Sequence, residues 1–342
     1  GEPKGVMHSA NTVMANIIPY AERLHLGSDD VVLMASPMAH QTGFMYGLMM
    51  PIMLRASAVL QDIWEPKKAV EVIRTEGATF TMASTPFLND LARTVAETGS
   101  TVPTLRTFLC AGAPIPGPLV EQARKVLGTK IVSAWGMTEN GAVTLIQLDD
   151  DDRLAFTTDG SPLPGVELKV VGDDGAELPR GQAGKLLVRS VSNFGGYLHR
   201  PQWNNTDAEG WFDTGDLAFM TEAGYIRISG RSKDVIIRGG ENIPVFEVEA
   251  LLYKHPAVAQ VAVVAVPDER LGERGCAVVV PKAGQTLTLP EMVAFLKAQK
   301  VALQYIPERL IVREEMPATP SGKIQKFKLR EIVKEMAQSG QL

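Results

Sequence analysis

The segment KIVSAWGMTEN, residues 130–140, decides how the first half of the chain is interpreted. It begins as an apolar, β-branched run typical of a buried strand and ends in a polar loop. In sheets of parallel strands, ligands bind at the loops that follow the strands. There Trp135 could stack on a purine, Thr138 could bond a phosphate, and Glu139 could bind Mg²⁺, which prefers oxygen ligands. Trp135 could also be a core residue, whereas an unpaired buried carboxylate at Glu139 would be costly.

Strands and helices alternate on both sides of this segment. Apolar residues at helical spacing predict helices over 11–26, 66–76 and 118–128. Strand-like runs (VVLMASPM, TFTMAS, TLRTFLC) lie between them. The alternation favours an α/β fold with a mostly parallel sheet over residues 1–145.

The pattern changes after residue 145. Residues 146–230 carry short alternating strands around turns such as Asp-Asp-Gly, which predicts an antiparallel, barrel-like subdomain. Residues 231–342 read as a compact α+β domain. Four consecutive Asp residues at 149–152 are interpreted as a solvated turn.

Composition excludes several classes of protein. The net charge of −5 over 342 residues includes no strongly basic domain, which argues against nucleic acid as the main partner. The longest apolar run, FMYGLMMPIML at 44–54, is too short to span a bilayer. Two distant cysteines form neither a disulfide framework nor a zinc pattern, so a reducing, cytoplasmic location is expected.

Two glycine-containing loops suggest contacts to a nucleotide. In GEPKGV, residues 1–6, small residues would let backbone N–H groups approach phosphate oxygens, and Lys4 would add a mobile cation. In CAGAPI, residues 110–115, the bend at Gly112, Ala113 and Pro114 would leave bare backbone for a base. Each segment could also be an ordinary turn.

Charged residues further along the chain suggest contacts to the sugar and the phosphates. Asp216 in WFDTGDL could accept bonds from vicinal hydroxyls, and Arg231 in ISGRSKDVIIRGGENIP could reach a ribose or a phosphate. Gly239 and Gly240 form a bare strip of backbone. Lys233 and its neighbours could equally belong to a surface turn.

Two more side chains are candidates for the reacting part of a site. Lys323 in PATPSGKIQKFKLR lies in a Pro/Ser/Gly loop that could carry it to a site, or it is one solvated lysine among several. His40 in SPMAHQTGF could border an acyl pocket, or it is a core or loop histidine.

These motifs together resemble the adenylate-forming superfamily, which comprises acyl-CoA synthetases, luciferases and peptide-synthetase adenylation domains. GEPKGV, CAGAPI, AWGMTE, WFDTGDL, ISGRSKDVIIRGGENI and PSGKIQK occur in the family's order and cover essentially the whole chain. Within the superfamily, SPMAHQTGFMYG, QDIW, PDERLGER and PSGKIQKFKLR look most like bacterial short- and medium-chain acyl-CoA synthetases, including cyclohexanecarboxylate-CoA ligase.

The resemblance implies a two-step reaction that uses ATP, Mg²⁺ and coenzyme A. ATP and a carboxylic acid form an acyl-adenylate and pyrophosphate, and the thiol of CoA then displaces AMP. By resemblance, Lys323 is the catalytic lysine of the first step and Lys233 is the hinge of a rotating C-terminal domain. The remaining matches are Thr138 and Glu139 for phosphate and Mg²⁺; Gly112, Ala113, Pro114, Trp135, Gly136 and Met137 for the nucleotide; Asp216 and Arg231 for the ribose; Gly239 and Gly240 for the pantetheine tunnel; and His40, Gly43, Ala111 and Gly136 for the acyl pocket.

The resemblance also carries two reservations. A Ser/Thr/Gly-rich run and roughly the first third of a family member would precede GEPKGV, so the chain is expected to be an inactive fragment. Ile306 replaces a basic residue that many relatives carry, so a basic contact to CoA there is not expected. An adenylation domain that loads a carrier protein is the alternative function.

Overall fold

The computed structural model describes residues 4–112, 115–319 and 322–342. Its first sheet has the strand order β2-β1-β3-β4-β5-β6-β7. The pairings from β1 through β5 are parallel, and β6 and β7 are antiparallel to their neighbours. These strands are β1 (Val31–Met34), β2 (Ser57–Leu60), β3 (Phe80–Ala83), β4 (Thr107–Ala111), β5 (Lys130–Met137), β6 (Gly141–Leu145) and β7 (Ser161–Pro162).

Helices cover this sheet because apolar residues recur along one face of each of them. Gly128, at a φ of +67°, ends α5 as the sequence predicts, since glycine adopts the left-handed conformation without strain. The helical segments are α1 (Ala10–Arg23), a π-helix (Gly43–Met49), α2 (Met50–Leu54), α3 (Pro66–Glu76), α4 (Thr85–Thr98), α5 (Gly117–Leu127) and α6 (Leu154–Thr157).

The second sheet is antiparallel, with the order β11-β10-β9-β8. In the part of the chain that is described, it is an open sheet, so the barrel-like closure is not formed. Trp135 and Val143 of the first sheet share an apolar cluster with the inner face of the second, and this cluster joins the two sheets. The strands are β8 (Val166–Val171), β9 (Gly184–Ser190), β10 (Phe212–Met220) and β11 (Ile226–Arg231), and a 3₁₀ turn (Pro201–Trp203) lies between β9 and β10.

The third sheet contains β12 to β16 and carries helices on both faces. Apolar clusters lie on both of its sides, one packed by α7 and α8 and the other by α9. The elements are a 3₁₀ turn (Ser232–Asp234), β12 (Ile236–Arg238), β13 (Glu241–Ile243), α7 (Val245–Leu252), β14 (Val258–Asp268), β15 (Gly272–Pro281), α8 (Leu289–Ala298), a 3₁₀ turn (Leu303–Tyr305), β16 (Arg309–Val312) and α9 (Lys326–Gln338).

The predicted α/β class is therefore confirmed. The boundaries of the three predicted parts stay a prediction, and β7 joins the first sheet although it follows residue 145. The acidic run is not simply solvated: Asp152 pairs with Lys130 at 2.9 Å, and Asp150 accepts a 2.8 Å hydrogen bond from the Tyr225 hydroxyl. No described helix has the length and apolar character needed to cross a membrane.

Candidate active site

The site lies where β5 of the first sheet meets the middle of β10 and the end of β11 of the second. Asp216 on β10 pairs across the sheet with Arg231 on β11, and the Arg231 Nε donates to Asp216 Oδ1 at 2.9 Å. The indole Nε1 of Trp135 donates to the other carboxylate oxygen, also at 2.9 Å. Asp216 is 4% exposed, so two donors compensate the burial of its charge.

Trp135 is largely buried in this structure, and its stacking role stays a prediction. It is 8% exposed and packs with the apolar side chains that join the two sheets. Most of the Trp135 side chain therefore packs as a core residue. Its polar edge nevertheless points to Asp216, so the structure does bring it together with the predicted ribose residues.

Glu139 follows β5 and is also buried, at 9% exposure. Its Oε1 accepts a 2.6 Å hydrogen bond from the hydroxyl of Tyr197. Burial, reinforced by this bond to a carboxylate, raises the pKa of Tyr197, so the phenol stays a proton donor. Sequence reasoning missed Tyr197, although an aromatic residue directly after two glycines (GGY, 195–197) was an available signal.

The donor set around Glu139 suits a magnesium ion that is shared with a phosphate. The described residues contain no group of three or more metal-ligating side chains, so the protein does not form a complete cage there. Mg²⁺ typically takes one or two carboxylates and completes its shell with phosphate oxygens and water. A single buried carboxylate with one oxygen already bonded fits that pattern.

Lys4 does not extend freely into the site. Its ammonium group lies 4.7 Å from the centre of the Tyr197 ring and 5.4 Å from that of Trp203. Such cation–π contacts hold the side chain against the same tyrosine that bonds Glu139. The described part of the phosphate loop and the candidate metal ligand thus share a neighbour.

Thr138 is fixed through its backbone. The Nε2 of His8 donates to the Thr138 carbonyl at 2.6 Å, and His8 Nδ1 lies 3.0 Å from the Thr12 hydroxyl. His8 therefore ties the start of α1 to the loop after β5. Sequence reasoning did not identify it, because a lone histidine between a loop and a helix has no distinctive pattern.

Lys323 comes to the site from the C-terminal part of the chain. A Cβ placed on Gly322 would stand 3.2 Å from Pro86 Cγ and 3.3 Å from Ser84 Oγ, so this loop touches the start of α4. Lys323 is exposed to solvent. Neighbouring protein atoms nevertheless exclude enough water to lower its pKa, and the nearby Arg231 adds to the effect.

Charges of the site act on Lys323. Asp216, Asp234 and Glu139 act in the opposite direction and raise the pKa of this lysine. Burial lowers the pKa of His40, and the ammonium of Lys323 lowers it further. His40, Glu139 and Asp216 therefore each lie within electrostatic reach of Lys323.

Three of the predicted glycines have two different roles in the backbone. Gly112 has a φ of +85° and open space at its Cβ position, which fits a bare strip beside a ligand. A Cβ on Gly136 would stand 2.0 Å from the Gly141 carbonyl oxygen, and one on Gly43 would stand 2.2 Å from that of Pro37. The interpretation of Gly136 and Gly43 as space for an acyl chain is thus not supported at the Cβ side, because both glycines are required by packing.

The remaining predicted residues fall outside this cluster or outside the described residues. Met137 ends β5 and packs against both neighbouring apolar clusters. Ala113 and Pro114 lie outside the described residues. Lys233 lies in the 3₁₀ turn between β11 and β12, and Gly239 and Gly240 form the tip of the β12–β13 hairpin, at φ values of +60° and +90°. Among the described residues, the side-chain hydrogen bonds of Asp216 and Glu139 do not involve this hairpin.

Comparison with known proteins gives relatives over almost the whole chain. A medium-chain fatty-acid–CoA ligase of Escherichia coli (strain K12) is 42% identical over 342 residues, which is 99% of this chain and 60% of the relative. This chain therefore spans less than two thirds of the length of that relative. The ATP-bound structure of MatB from Rhodopseudomonas palustris superposes with a TM-score of 0.91 at 30% identity, covering 98% of this chain and 66% of that one.

The apo structure of the same R. palustris protein gives a lower TM-score of 0.75 at the same 30% identity, again over 98% of this chain and 66% of that one. This chain thus superposes more closely on the ATP-bound structure than on the apo structure. The sequence profile of the AMP-binding enzyme family matches residues 1–198, and that of the AMP-binding enzyme C-terminal domain matches residues 247–323. The chain belongs to the AMP-binding enzymes, the adenylate-forming superfamily that its motifs resemble.

Proposed function

We propose that the protein is an ATP-dependent acyl-CoA synthetase, an acid–thiol ligase that forms an acyl-adenylate and then the CoA thioester. The observation that carries this proposal is that Lys323, on the C-terminal loop that touches the start of α4, lies within electrostatic reach of Asp216 and Glu139. The E. coli relative, named a medium-chain fatty-acid–CoA ligase, supports the same reaction. The likeness to an ATP-bound relative supports a nucleotide in this arrangement.

The first step joins two anions, the carboxylate of the acid and the α-phosphate of ATP. A cation held between them lowers the barrier because negative charge gathers there in the transition state. Lys323 is the residue placed to supply that charge, and its ammonium group has no hydrogen bond or ion pair with another described residue. It is therefore available to the reacting groups.

The nucleotide would be held by groups from both sheets. The carboxylate of Asp216 would accept bonds from the ribose hydroxyls, and Arg231 would stay beside it. Gly112 would offer bare backbone to the base. Glu139 and Thr138 would hold Mg²⁺ and the phosphates, and the ion would neutralise charge on the phosphate oxygens.

The second step would use a different orientation of the C-terminal domain. We place the hinge at Lys233, in the short turn that joins the second and third sheets. Rotation there would remove Lys323 and bring the exposed Gly239–Gly240 tip to the site, where the absence of side chains leaves room for the pantetheine arm. Ile306 is 5% exposed within the apolar cluster of α7 and α8, and no basic contact to CoA is proposed there.

The acid is proposed to be aliphatic or alicyclic. Met45 and Tyr46 are buried residues of the π-helix that follows His40, and Met50 is buried directly after it. Phe44 and Leu48 of the same helix are exposed. The π-helix segment is therefore apolar, and methionine side chains adapt their shape to irregular apolar partners. His40, kept neutral by its lowered pKa, and Ala111 would border the carboxylate end. Both cysteines are buried free thiols, which supports the proposed cytoplasmic location.

A panel of carboxylic acids tests the proposal. We would assay the protein for acid-dependent ATP–pyrophosphate exchange and for AMP release with CoA. We expect exchange with aliphatic or alicyclic acids and thioester formation with free CoA. Acyl transfer to a carrier protein without CoA would instead support the carrier-loading alternative, and no exchange with any acid would refute both functions.

A further inference from the structure

We propose that Trp135 is a positioning residue that aims the carboxylate of Asp216 at the ribose hydroxyls, so that preference for a ribonucleotide depends on its indole N–H. This inference rests on the proposed function, because it takes Asp216 as the ribose ligand. It assigns Trp135 a different role from stacking on the purine.

The hydrogen bonds of Asp216 leave room for a diol. Trp135 Nε1 donates to Oδ2 and Arg231 Nε donates to Oδ1, both at 2.9 Å. A carboxylate has about four acceptor positions, two on each oxygen, so each oxygen keeps one position for a substrate hydroxyl. Two protein donors, one on each oxygen, thus fix the plane of the carboxylate without using up its capacity.

The two donors differ in how firmly they are held. The side chain of Arg231 is 48% exposed, so it can change its conformation when substrate binds. The indole of Trp135 is enclosed by the cluster that joins the two sheets, and the whole residue is 8% exposed. An indole N–H can only donate a hydrogen bond, and close packing restricts movement of the ring. Trp135 therefore holds the Asp216 carboxylate in one orientation.

The proposed role is separate from stacking on the purine. Trp135 is 8% exposed and belongs to the apolar cluster that joins the two sheets. The edge that carries Nε1 points to Asp216. The recognisable polar function of this residue is therefore toward the sugar.

The test compares ATP with 2′-deoxyATP and 3′-deoxyATP as substrates of the protein. We would measure kcat/KM for each nucleotide in the wild type, in Trp135→Phe, and in a protein with β-(3-benzothienyl)alanine at position 135, which keeps the shape of Trp and lacks the N–H. The ratio between nucleotides does not depend on the fraction of enzyme that is folded. We expect both changes to reduce the preference for ATP about tenfold, the usual scale for a hydrogen bond to a charged group.

Trp64 provides a matched control. Its Nε1 donates to Asp90 Oδ2 at 3.1 Å, so it makes the same kind of bond outside the site. Trp64→Phe is expected to leave the nucleotide preference unchanged. An unchanged preference in both Trp135 variants would overturn the inference.

A further variant, Asp216→Asn, separates the inference from the proposed function. If the wild type prefers ATP and Asp216→Asn does not, the ribose role of Asp216 stands, and the Trp135 variants then decide the inference alone. If the wild type shows no preference for a ribonucleotide, or does not use ATP, both the inference and that part of the proposed function are overturned.

Discussion

The two sides of the candidate site are built in opposite ways. On the side of the first two sheets, Asp216 and Glu139 are 4% and 9% exposed, and each carboxylate accepts hydrogen bonds from buried aromatic donors. On the side of the C-terminal domain, Lys323 is exposed and lies in a short loop. Its backbone N–H donates to the Thr319 hydroxyl at 3.1 Å, and its ammonium group makes no hydrogen bond or ion pair with the other described residues.

This difference fits the different times at which the groups would act. Residues that hold the nucleotide are needed in both proposed steps, so their fixed positions cost nothing in turnover. A lysine needed in one step only must leave before the next, and strong bonds to the other side would slow that departure. Weak attachment of Lys323 is therefore a functional requirement under the proposed mechanism.

The largest expected effect comes from removing the mobile cation. Lys323→Ala should lower the rate of acyl-adenylate formation by about 10²–10³-fold, the scale for loss of one group that stabilises transition-state charge. Thioester formation from a synthetic acyl-adenylate should be retained, because Lys323 would be absent from the site in that step. Lys328→Ala, on the neighbouring helix α9, is the control. If Lys323→Ala slowed both half-reactions equally, the proposed difference between the fixed side and the mobile side of the site would be contradicted.

The next effect concerns the fixed side. Tyr197→Phe removes the 2.6 Å hydrogen bond to Glu139 and keeps the ring that contacts Lys4. We expect the Mg²⁺ concentration for half-maximal pyrophosphate exchange to rise about tenfold, because groups that orient a metal ligand contribute on this scale. Electron paramagnetic resonance of Mn²⁺, bound with a non-hydrolysable ATP analogue, would report the same change without turnover.

Tyr225→Phe serves as the matched control for this measurement. The Tyr225 hydroxyl also bonds a carboxylate, that of Asp150 at 2.8 Å, but it lies outside the site. An equal rise in the Mg²⁺ requirement of both variants would show that the effect is general destabilisation.

A smaller effect is expected in the second half-reaction. Gly240 has a φ of +90° with open space at its Cβ position, so Gly240→Ala adds strain of about 1–3 kcal/mol without a collision. Thioester formation should slow several-fold while adenylation is unchanged, as measured by single-turnover assays of each step. Gly284→Ala, at a φ of +74° in another open turn of the same domain, should affect neither step; slowing there too would assign the effect to stability.

The smallest expected effect is on pH dependence. The lowered pKa of Lys323 means that its charge is lost at a lower pH than in an ordinary lysine, so kcat/KM for ATP should fall correspondingly early as the pH rises. Lys323→Arg should move this alkaline limb to higher pH, because a guanidinium stays protonated. If the alkaline limb of the pH profile does not move in Lys323→Arg, the limb is caused by a group other than Lys323.

Thermal melts separate this effect from unfolding. The folded protein binds the Lys323 proton more weakly than the unfolded chain does. This group therefore adds stability as the pH rises from its lowered pKa toward the usual lysine value, while activity falls over the same range.

Local pattern predicted much of the secondary structure. The helix Pro66–Glu76 has the predicted bounds, and the helix ended by Gly128 has the predicted end, because proline at the first turn and glycine after the last give clear local signals. Helix α4, Thr85–Thr98, was not predicted, although Ser84 and Pro86 at its start provided such a signal. The π-helix Gly43–Met49 was missed because its Met-rich run shows no clear helical face.

The sequence by itself determined the family, the order of the motifs and the types of side chain at the site, because each motif is a short run whose chemistry depends on local composition. Only the tertiary structure decided which partners those side chains have. Tyr197 meets Glu139 across 58 residues and Trp135 meets Asp216 across 81, and neither pairing leaves a local pattern. Such contacts arise from the packing of one sheet against another, which depends on the whole chain rather than on any segment of it.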